Sequence, residues 1–419
     1  MNNFKLEFLA LSRSIEMDIS YNDDAPIVRD LLMAFDYDAD FKNLNININA
    51  LQHNTNELKR RINSVVQRYK NLNCKIQQLN TYLQGLKKNE PFFVLQGGKV
   101  TTEQRNSLTL YLHSIKEKKD FTQMTKEVNN LFGVLMDNYE TFAFNENTRK
   151  KIGEREKQKR VCRYCDKQSP EVSFKKVAHS ISEALGNKTI ITNDECDTCN
   201  EKFGQGIETD LINYLNFFRV FFGVRGKSGV PKLKGKNFEI TNNEVIEIIQ
   251  RLSDKELKDS ISNNFEFRLE TKQNVTKQNI YKALVKYAIS VIDRRYIVNF
   301  KKTIAWINGV ETIDTLPKVA VLTSYDMFTE HPQLIVYLRK NEETKLPYVV
   351  AEFKFTCLTF VYIIPGSSKD STDFTNEENY KYFWNFFKHY NSVQNWSFLK
   401  LNDNVPQKFV MNIDFNKKK

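Results

Sequence analysis

The sequence predicts an α+β protein in three parts, and one observation in each part supports this. Residues 1–148 carry a long heptad repeat of apolar residues, which predicts a helical, coiled-coil N-terminal region. Residues 149–236 contain two Cys-x-x-Cys pairs, which predict a central module held together by its cysteines. Residues 237–419 combine apolar runs of strand length with a helical stretch, which is typical of an α+β domain with antiparallel strands.

The heptad repeat of the N-terminal region alternates steps of four and three residues. Isoleucine at the a positions and leucine at the d positions favour two parallel helices, so the repeat predicts a homodimer, or a partner protein, joined through a coiled coil. A second helical run, residues 108–139, leaves an alternative in which the two helices form an antiparallel hairpin within one chain. The repeat consists of Leu44, Ile48, Leu51, Thr55, Leu58, Ile62, Val65, Tyr69, Leu72, Ile76, Leu79, Leu83 and Leu86.

Four of the six cysteines form the pairs Cys162/Cys165 and Cys196/Cys199. Four thiolates at this spacing suit one tetrahedral Zn²⁺, and because sulfur fills every position the zinc is predicted to be structural. The other two cysteines are isolated, a usage typical of a reducing cytoplasm. The N-terminus lacks the pattern of a signal peptide, and the most apolar stretch is too short to span a bilayer, so we expect a cytoplasmic protein without membrane contact.

The net charge of +11 is concentrated on both sides of the cysteine pairs. Residues 149–160 hold seven basic and two acidic side chains, and residues 219–236 hold six basic and no acidic ones. Basic segments beside a candidate site suit a polyanionic partner, because Lys and Arg neutralise phosphates. We therefore expect DNA as the partner, with RNA not excluded and solvated linkers as the competing interpretation. The residues expected to contact nucleic acid are Lys151, Arg155, Arg160, Arg225, Lys227, Lys232, Lys234 and Lys236.

The residues around the second cysteine pair follow a recognisable pattern. Gly186 lies seven residues after His179, Asn193 lies fourteen residues after it, and Asn200 directly follows the last cysteine. The pattern resembles the HNH endonucleases, the ββα-metal nuclease family, in the branch whose active site is stapled by a zinc knuckle. The resemblance covers about residues 160–235. The secondary structure predicted for this module consists of two strands, residues 172–179 and 189–191, and a helix, residues 200–215.

This resemblance implies a metal-dependent endonuclease that hydrolyses phosphodiester bonds in DNA. His179 is then the general base, a role that suits an imidazole at physiological pH. Asn193 is expected to orient the histidine or to brace the hairpin. Asn200 is expected to ligate a catalytic Mg²⁺ or Mn²⁺, hard cations that prefer oxygen ligands.

The residue before the histidine departs from the family pattern. That residue usually ligates the catalytic metal, whereas this chain has Ala178. A second oxygen ligand is therefore expected elsewhere, with Glu208 as the first candidate and Glu195 and Glu183 as the others. The departure also leaves a second function open: a non-catalytic zinc-knuckle protein that binds DNA or acts as a scaffold, with a structural His179.

The C-terminal part is interpreted as an accessory domain that packs against the nuclease or regulates it. Its longest helical pattern is residues 281–292. The aromatic run of residues 380–390 predicts a helix whose rings lie in a core; stacking on bases is the less favoured alternative. The predicted strands are residues 319–323, 333–338, 348–356 and 359–364.

Overall fold

The computed structural model describes residues 2–21, 26–35, 49–144, 150–235, 238–243, 245–250 and 265–415. The chain forms two compact units, Met1–Asn130 and Leu131–Lys419, called here the N-terminal and C-terminal units. The division into three parts predicted from the sequence stays a prediction. Among the described residues, no helix combines the length and the apolar content that a membrane crossing requires.

The N-terminal unit is a four-stranded antiparallel sheet with helices on both faces. The strands follow the order β2, β1, β4, β3. Alternate residues of a strand point to opposite faces, so Phe8 packs with the first three helices while its neighbour Leu9 packs with Leu112 of the fourth. The elements are β1 (Asn2–Ala10), β2 (Ser14–Tyr21), α1 (Pro26–Phe35), β3 (Leu51–His53), α2 (Asn56–Tyr69), α3 (Gln77–Gly85), β4 (Pro91–Gln96), α4 (Thr102–Glu117) and α5 (Phe121–Val128).

The coiled coil predicted for this region is wrong. Leu51 lies in a strand, and a break between α2 and α3 leaves Leu72 81% exposed. Leu44 and Ile48 of the repeat lie outside the described residues. The buried members of the repeat, all in the core formed by α1, α2, α3 and the sheet, are Leu58, Ile62, Val65, Tyr69, Ile76, Leu79, Leu83 and Leu86.

The error has a physical reason. Apolar residues at spacings of three and four give a helix one apolar face, and that face packs as well on a sheet as on a second helix. Thr55, interpreted as a seam residue, instead caps α2, where its hydroxyl accepts a hydrogen bond from the amide of Leu58 at 3.1 Å. The alternative hairpin is also not formed, because Leu112 of the second run packs on the opposite face of the sheet. Since the apolar face is used inside the chain, the predicted homodimer loses its basis.

The C-terminal unit contains a six-stranded antiparallel sheet in the order β16, β12, β15, β14, β13, β5. This outcome confirms the α+β class and the antiparallel strands predicted for the C-terminal part. The elements are α6 (Val134–Asn138), β5 (Tyr139–Phe144), β6 (Lys150–Ile152), β7 (Ile190–Thr192), α7 (Asp197–Gln205), α8 (Ile207–Phe221), β8 (Leu233–Lys234), β9 (Phe238–Asn243), β10 (Val245–Gln250), β11 (Phe265–Val275), α9 (Lys277–Val291), α10 (Arg294–Ile297), α11 (Lys301–Ile307), β12 (Val319–Thr323), β13 (Thr329–Arg339), β14 (Val349–Thr356), β15 (Leu358–Ile363), α12 (Glu377–Phe386), α13 (Lys388–Asn391), β16 (Ser397–Leu399) and β17 (Gln407–Phe415).

Both faces of this sheet are covered, which explains its nearly continuous apolar strands. On one face, Phe383 and Phe387 of the aromatic run are buried with Val350 of β14, so the expectation that these rings lie in a core is confirmed. On the other face lies α9, whose Tyr287 contacts Phe353 of β14 with ring centroids 5.7 Å apart.

Helix α9 joins the sheet to the segment that carries the cysteine pairs. Almost every one of its side chains is buried, and its Leu284 shares one core with Cys162, Leu211 of α8 and Phe353 of β14. The segment therefore packs on the same continuous core as the C-terminal sheet.

Candidate functional site

The four cysteines of the two pairs converge on one point. Their sulfur atoms all lie within 4.8 Å of one another, and three of the four residues are buried. Cys196 caps α7, with its sulfur accepting a hydrogen bond from the amide of Cys199, and the sulfur of Cys162 accepts one from the amide of Cys196. A hydrogen bond with Cys199 lowers the pKa of the Cys162 thiol to about 5. An all-sulfur donor set of this size fits a structural Zn²⁺.

Replacing Cys165 or Cys199 with serine is expected to release close to one Zn²⁺ per chain and to destabilise the surrounding segment. The reason is that binding of a structural zinc contributes directly to folding. Elemental analysis together with a thermal melt measures both effects. Cys357→Ser is the control, because Cys357 is buried outside the cluster and should leave the zinc content unchanged. Purified, folded wild-type protein without zinc would contradict the prediction.

His179 lies on a short antiparallel hairpin. It forms a bridge with Ile191, flanked by hydrogen bonds from Thr192 to Ala178 at 2.9 Å and from Ser180 to Ile190 at 3.0 Å. The predicted strand 189–191 corresponds to β7.

The longer strand predicted over residues 172–179 is wrong except at its last residue, where His179 forms the bridge with Ile191. Asp197 at the start of α7 binds the hydroxyl of Ser173 and the amides of Lys175 and Lys176, which holds that stretch as a loop.

The predicted single helix 200–215 is also different in the structure. It is two helices, α7 and α8, which meet at Gly206 with φ −109° and ψ −104°. The first begins at Asp197 because Cys196 caps it.

The imidazole of His179 lies close to a carboxylate. Its Nε2 is 3.9 Å from Oε2 of Glu183, and the two side chains are 19% and 36% exposed. Glu183 begins a 3₁₀ turn that ends at Gly186, whose φ is +91°. Glycine suits this position because of that φ and because an added Cβ would approach Cγ1 of Val224 to 3.2 Å.

A buried ion cluster that the sequence did not reveal lies behind the histidine. The ammonium of Lys286, on α9, is 3.2 Å from Glu195 and 2.8 Å from Glu208. It also donates to the backbone carbonyl of His179 at 3.3 Å. Burial raises the pKa of Glu195 to about 7. Glu195 and Glu208, two of the three carboxylates considered as metal ligands, are therefore ion-paired with Lys286.

A second buried ion pair holds the same segment. Arg163 makes two hydrogen bonds of 2.9 Å to the carboxylate of Asp194. Its remaining amino group donates to the carbonyls of Ile289 and Ile292 at the end of α9. Together with Lys286, this pair ties the residues around both cysteine pairs to α9.

The two asparagines expected at the active site lie in different surroundings. Asn200 is half-buried on the first turn of α7, where its backbone N–H donates to the carbonyl of Cys196 at 2.9 Å. Asn193 is 7% exposed and lies directly after β7. Its backbone N–H donates to the carbonyl of Ile152 at 2.7 Å.

The two basic segments also differ. Lys151, Arg155 and Arg160 of the first line one cavity. In the second, Lys232 and Lys234 each lie 3.6 Å from the carboxylate of Glu239. Arg225 and Lys227 are exposed, and Lys236 lies outside the described residues.

Comparison with known proteins agrees with the motif. Residues 162–216 match the family model described as HNH endonuclease. No curated protein and no solved structure matches the chain significantly. The matched range contains both cysteine pairs, the hairpin with His179 and most of α8. Over these residues the resemblance to HNH endonucleases, with their zinc-knuckle cysteines, is confirmed.

Proposed function

We propose that the protein is a metal-dependent HNH endonuclease that hydrolyses phosphodiester bonds in DNA. The observation that carries the proposal is the placement of His179. Its imidazole is partly exposed on a hairpin between the two cysteine pairs in the sequence, within the residues that match the HNH endonuclease model. The basic segments on either side suit DNA as the substrate.

His179 is assigned as the general base that takes a proton from the attacking water. Its Nδ1 is buried, so proton transfer is assigned to Nε2. The carboxylate of Glu183 lies 3.9 Å from Nε2, on the side of the imidazole that accepts the proton. Lys286 fixes the histidine's backbone through its carbonyl. Positioning of this kind makes a general base effective.

A catalytic Mg²⁺ or Mn²⁺ is part of the proposal. Among the described residues, the four cysteines form the sole cluster of three or more Cys, His, Asp or Glu side chains with metal-binding spacing. Mg²⁺ needs fewer protein ligands than that, because it usually keeps several waters and takes one or two carboxylates together with substrate phosphates. When bound, the cation supplies Lewis-acid stabilisation of the scissile phosphate and the leaving oxygen.

The protein ligands proposed for this cation are Asn200 and Glu183. Asn200 follows from the family pattern. Glu183 is close to His179 and, among the described residues, forms no salt bridge with a lysine or an arginine. Glu208, the first candidate from the sequence, is 2.8 Å from Lys286, and Glu195 shares the same ammonium. Their ion pairs favour a structural role for both.

The second candidate function is a non-catalytic zinc-knuckle protein that binds DNA or acts as a scaffold. Two observations favour it: Ala178 occupies the position of the usual metal ligand, and Lys286 engages Glu208 and Glu195. Both functions require the zinc and allow DNA binding, so only a reaction separates them.

Purified wild-type protein is expected to nick or linearise supercoiled plasmid when Mg²⁺ or Mn²⁺ is added, and to leave it intact without added divalent metal. The measurement is a time course on an agarose gel, with a labelled RNA of the same length assayed in parallel. Protein that retains its zinc but cuts neither DNA nor RNA with any divalent metal would favour the scaffold function.

A further inference from the structure

A cationic cavity lies on the edge of the hairpin segment. It has a volume of about 330 Å³ and is lined by Lys151, Arg155, Arg160 and Asn193. A smaller neighbouring cavity of about 140 Å³ shares three of these residues. Basic residues that line only the smaller cavity are Lys157, Lys175 and Lys176. No acidic side chain is among the described residues that line either cavity.

The local backbone builds this cavity. Lys151 lies on β6, which pairs in parallel with β7, and Asn193 follows directly after β7. The guanidinium of Arg160 donates to the carbonyls of Glu154 and Arg155, at 2.9 and 3.0 Å, and so closes the loop after β6. Three cations are thereby held around one space.

The acidic residues of that loop are engaged elsewhere. The carboxylate of Glu154 accepts a hydrogen bond from the amide of Glu156 at 2.9 Å. The carboxylate of Glu156 pairs with Lys159 at 2.9 Å. Among the described residues, neither carboxylate forms a salt bridge with Lys151 or Arg155.

Asn193 provides an independent sign of a ligand. The residue is 93% buried, and its Nδ2 has no hydrogen-bond partner within the described part of the chain. Leaving a buried N–H donor unsatisfied destabilises the folded state. Asn193 lines the cavity, and turning its side-chain amide toward that space would give Nδ2 an anionic oxygen as acceptor.

We propose that this cavity binds a phosphate group, and that in the working protein the group is a backbone phosphate of DNA next to the one that is cut. The choice of DNA as the source rests on the proposed function. The side-chain amide of Asn193 donates to a phosphate oxygen, while Lys151, Arg155 and Arg160 neutralise the charge of the phosphate.

The position of the cavity explains what the site does. Ala178, which precedes His179, lines the smaller cavity together with Asn193. The two cavities share Lys151, Arg160 and Asn193, so a phosphate bound in the larger one anchors one strand of the substrate next to the stretch that leads into His179. Asn193 thus has a binding role in addition to the bracing role expected from the sequence.

The test compares the double variant Lys151→Ala/Arg155→Ala with wild type in DNA binding without added divalent metal. Both side chains are exposed, so the fold should be unaffected. The slope of log affinity against log salt is expected to become shallower by about 1, the effect of one lost phosphate contact. The matched control is Lys167→Ala/Lys188→Ala, which removes two exposed cations outside the cavity and should change the slope less.

Inorganic phosphate, titrated into wild type and the double variant by calorimetry, identifies the source of the group. An altered DNA slope, with or without weak phosphate binding, supports the backbone phosphate. Phosphate binding that is lost in the double variant, with an unaltered DNA slope, overturns DNA as the source. If the double variant changes neither the DNA slope nor phosphate binding, the cavity is not a phosphate site. Because no cleavage is measured, failure of this proposal and failure of the endonuclease proposal remain distinguishable.

Discussion

Replacing His179 with alanine is expected to slow divalent-metal-dependent DNA cleavage by about 10²–10⁴-fold, the typical contribution of a general base. Zinc content, thermal stability and DNA affinity should stay near those of wild type. The imidazole is partly exposed, and the contacts that hold this strand are made by its backbone. The measurement is the single-turnover cleavage rate at saturating metal.

Two further variants make this result specific. His53→Ala removes an exposed histidine of the N-terminal unit and should leave the cleavage rate unchanged. Asn200→Ala should also slow cleavage, but by weakening the bound metal, so a raised Mn²⁺ concentration should restore part of its activity. The same Mn²⁺ should not rescue His179→Ala. Full activity of His179→Ala would show that another group takes the proton.

The features predictable from the sequence were those encoded over short distances. Each Cys-x-x-Cys pair sets the separation of two sulfurs within one turn, and the two pairs meet in the four-cysteine cluster, which suits zinc. The position of His179 between them follows from the same short segment. The strands of the C-terminal part and the burial of its aromatic run followed from local periodicity, but the helix predicted over residues 380–390 is two helices, α12 and α13.

The rest depended on contacts between distant parts of the chain. Lys286 lies 107 residues from His179, whose carbonyl it binds, and Arg163 lies 126 residues from Ile289. In the sequence, Lys286 is one of three lysines in α9, and a lysine among apolar neighbours fits a solvated edge as well as a buried cation. The coiled coil failed for the same reason, since the apolar faces of α2 and α3 do not specify a sheet as their partner.

The contacts of α9 also bear on how the segment that matches the HNH endonuclease model folds. The residues around the two cysteine pairs contribute their apolar side chains to one core with α9 and the C-terminal sheet. Arg163, paired with Asp194, and Lys286 add buried polar contacts to the same helix. The C-terminal sheet and α9 are therefore part of the structure that positions His179, which is consistent with the expectation that this part packs against the nuclease.

Replacing Lys286 with methionine is expected to destabilise the C-terminal unit by about 3–5 kcal/mol, the usual effect of removing one partner of a buried ion pair. Methionine has a similar length, so the lost packing is small. The carboxylates of Glu195 and Glu208 would remain buried without their cation, and the carbonyl of His179 would lose its donor. Denaturant unfolding followed by circular dichroism measures the change in the free energy of unfolding.

The matched control for this variant is Lys282→Met, one turn earlier on α9. Lys282 is half-buried over the ring of Trp306, and no carboxylate pairs with it among the described residues. Its loss should therefore cost much less than the loss of Lys286. The triple variant Lys286→Met/Glu195→Gln/Glu208→Gln should recover much of the stability, because it removes the unpaired charges together with the cation. If Lys286→Met and Lys282→Met destabilise the protein equally, the ion cluster does not stabilise the fold. In that case the position of His179 must depend on the hairpin, the four-cysteine cluster and the apolar core rather than on Lys286.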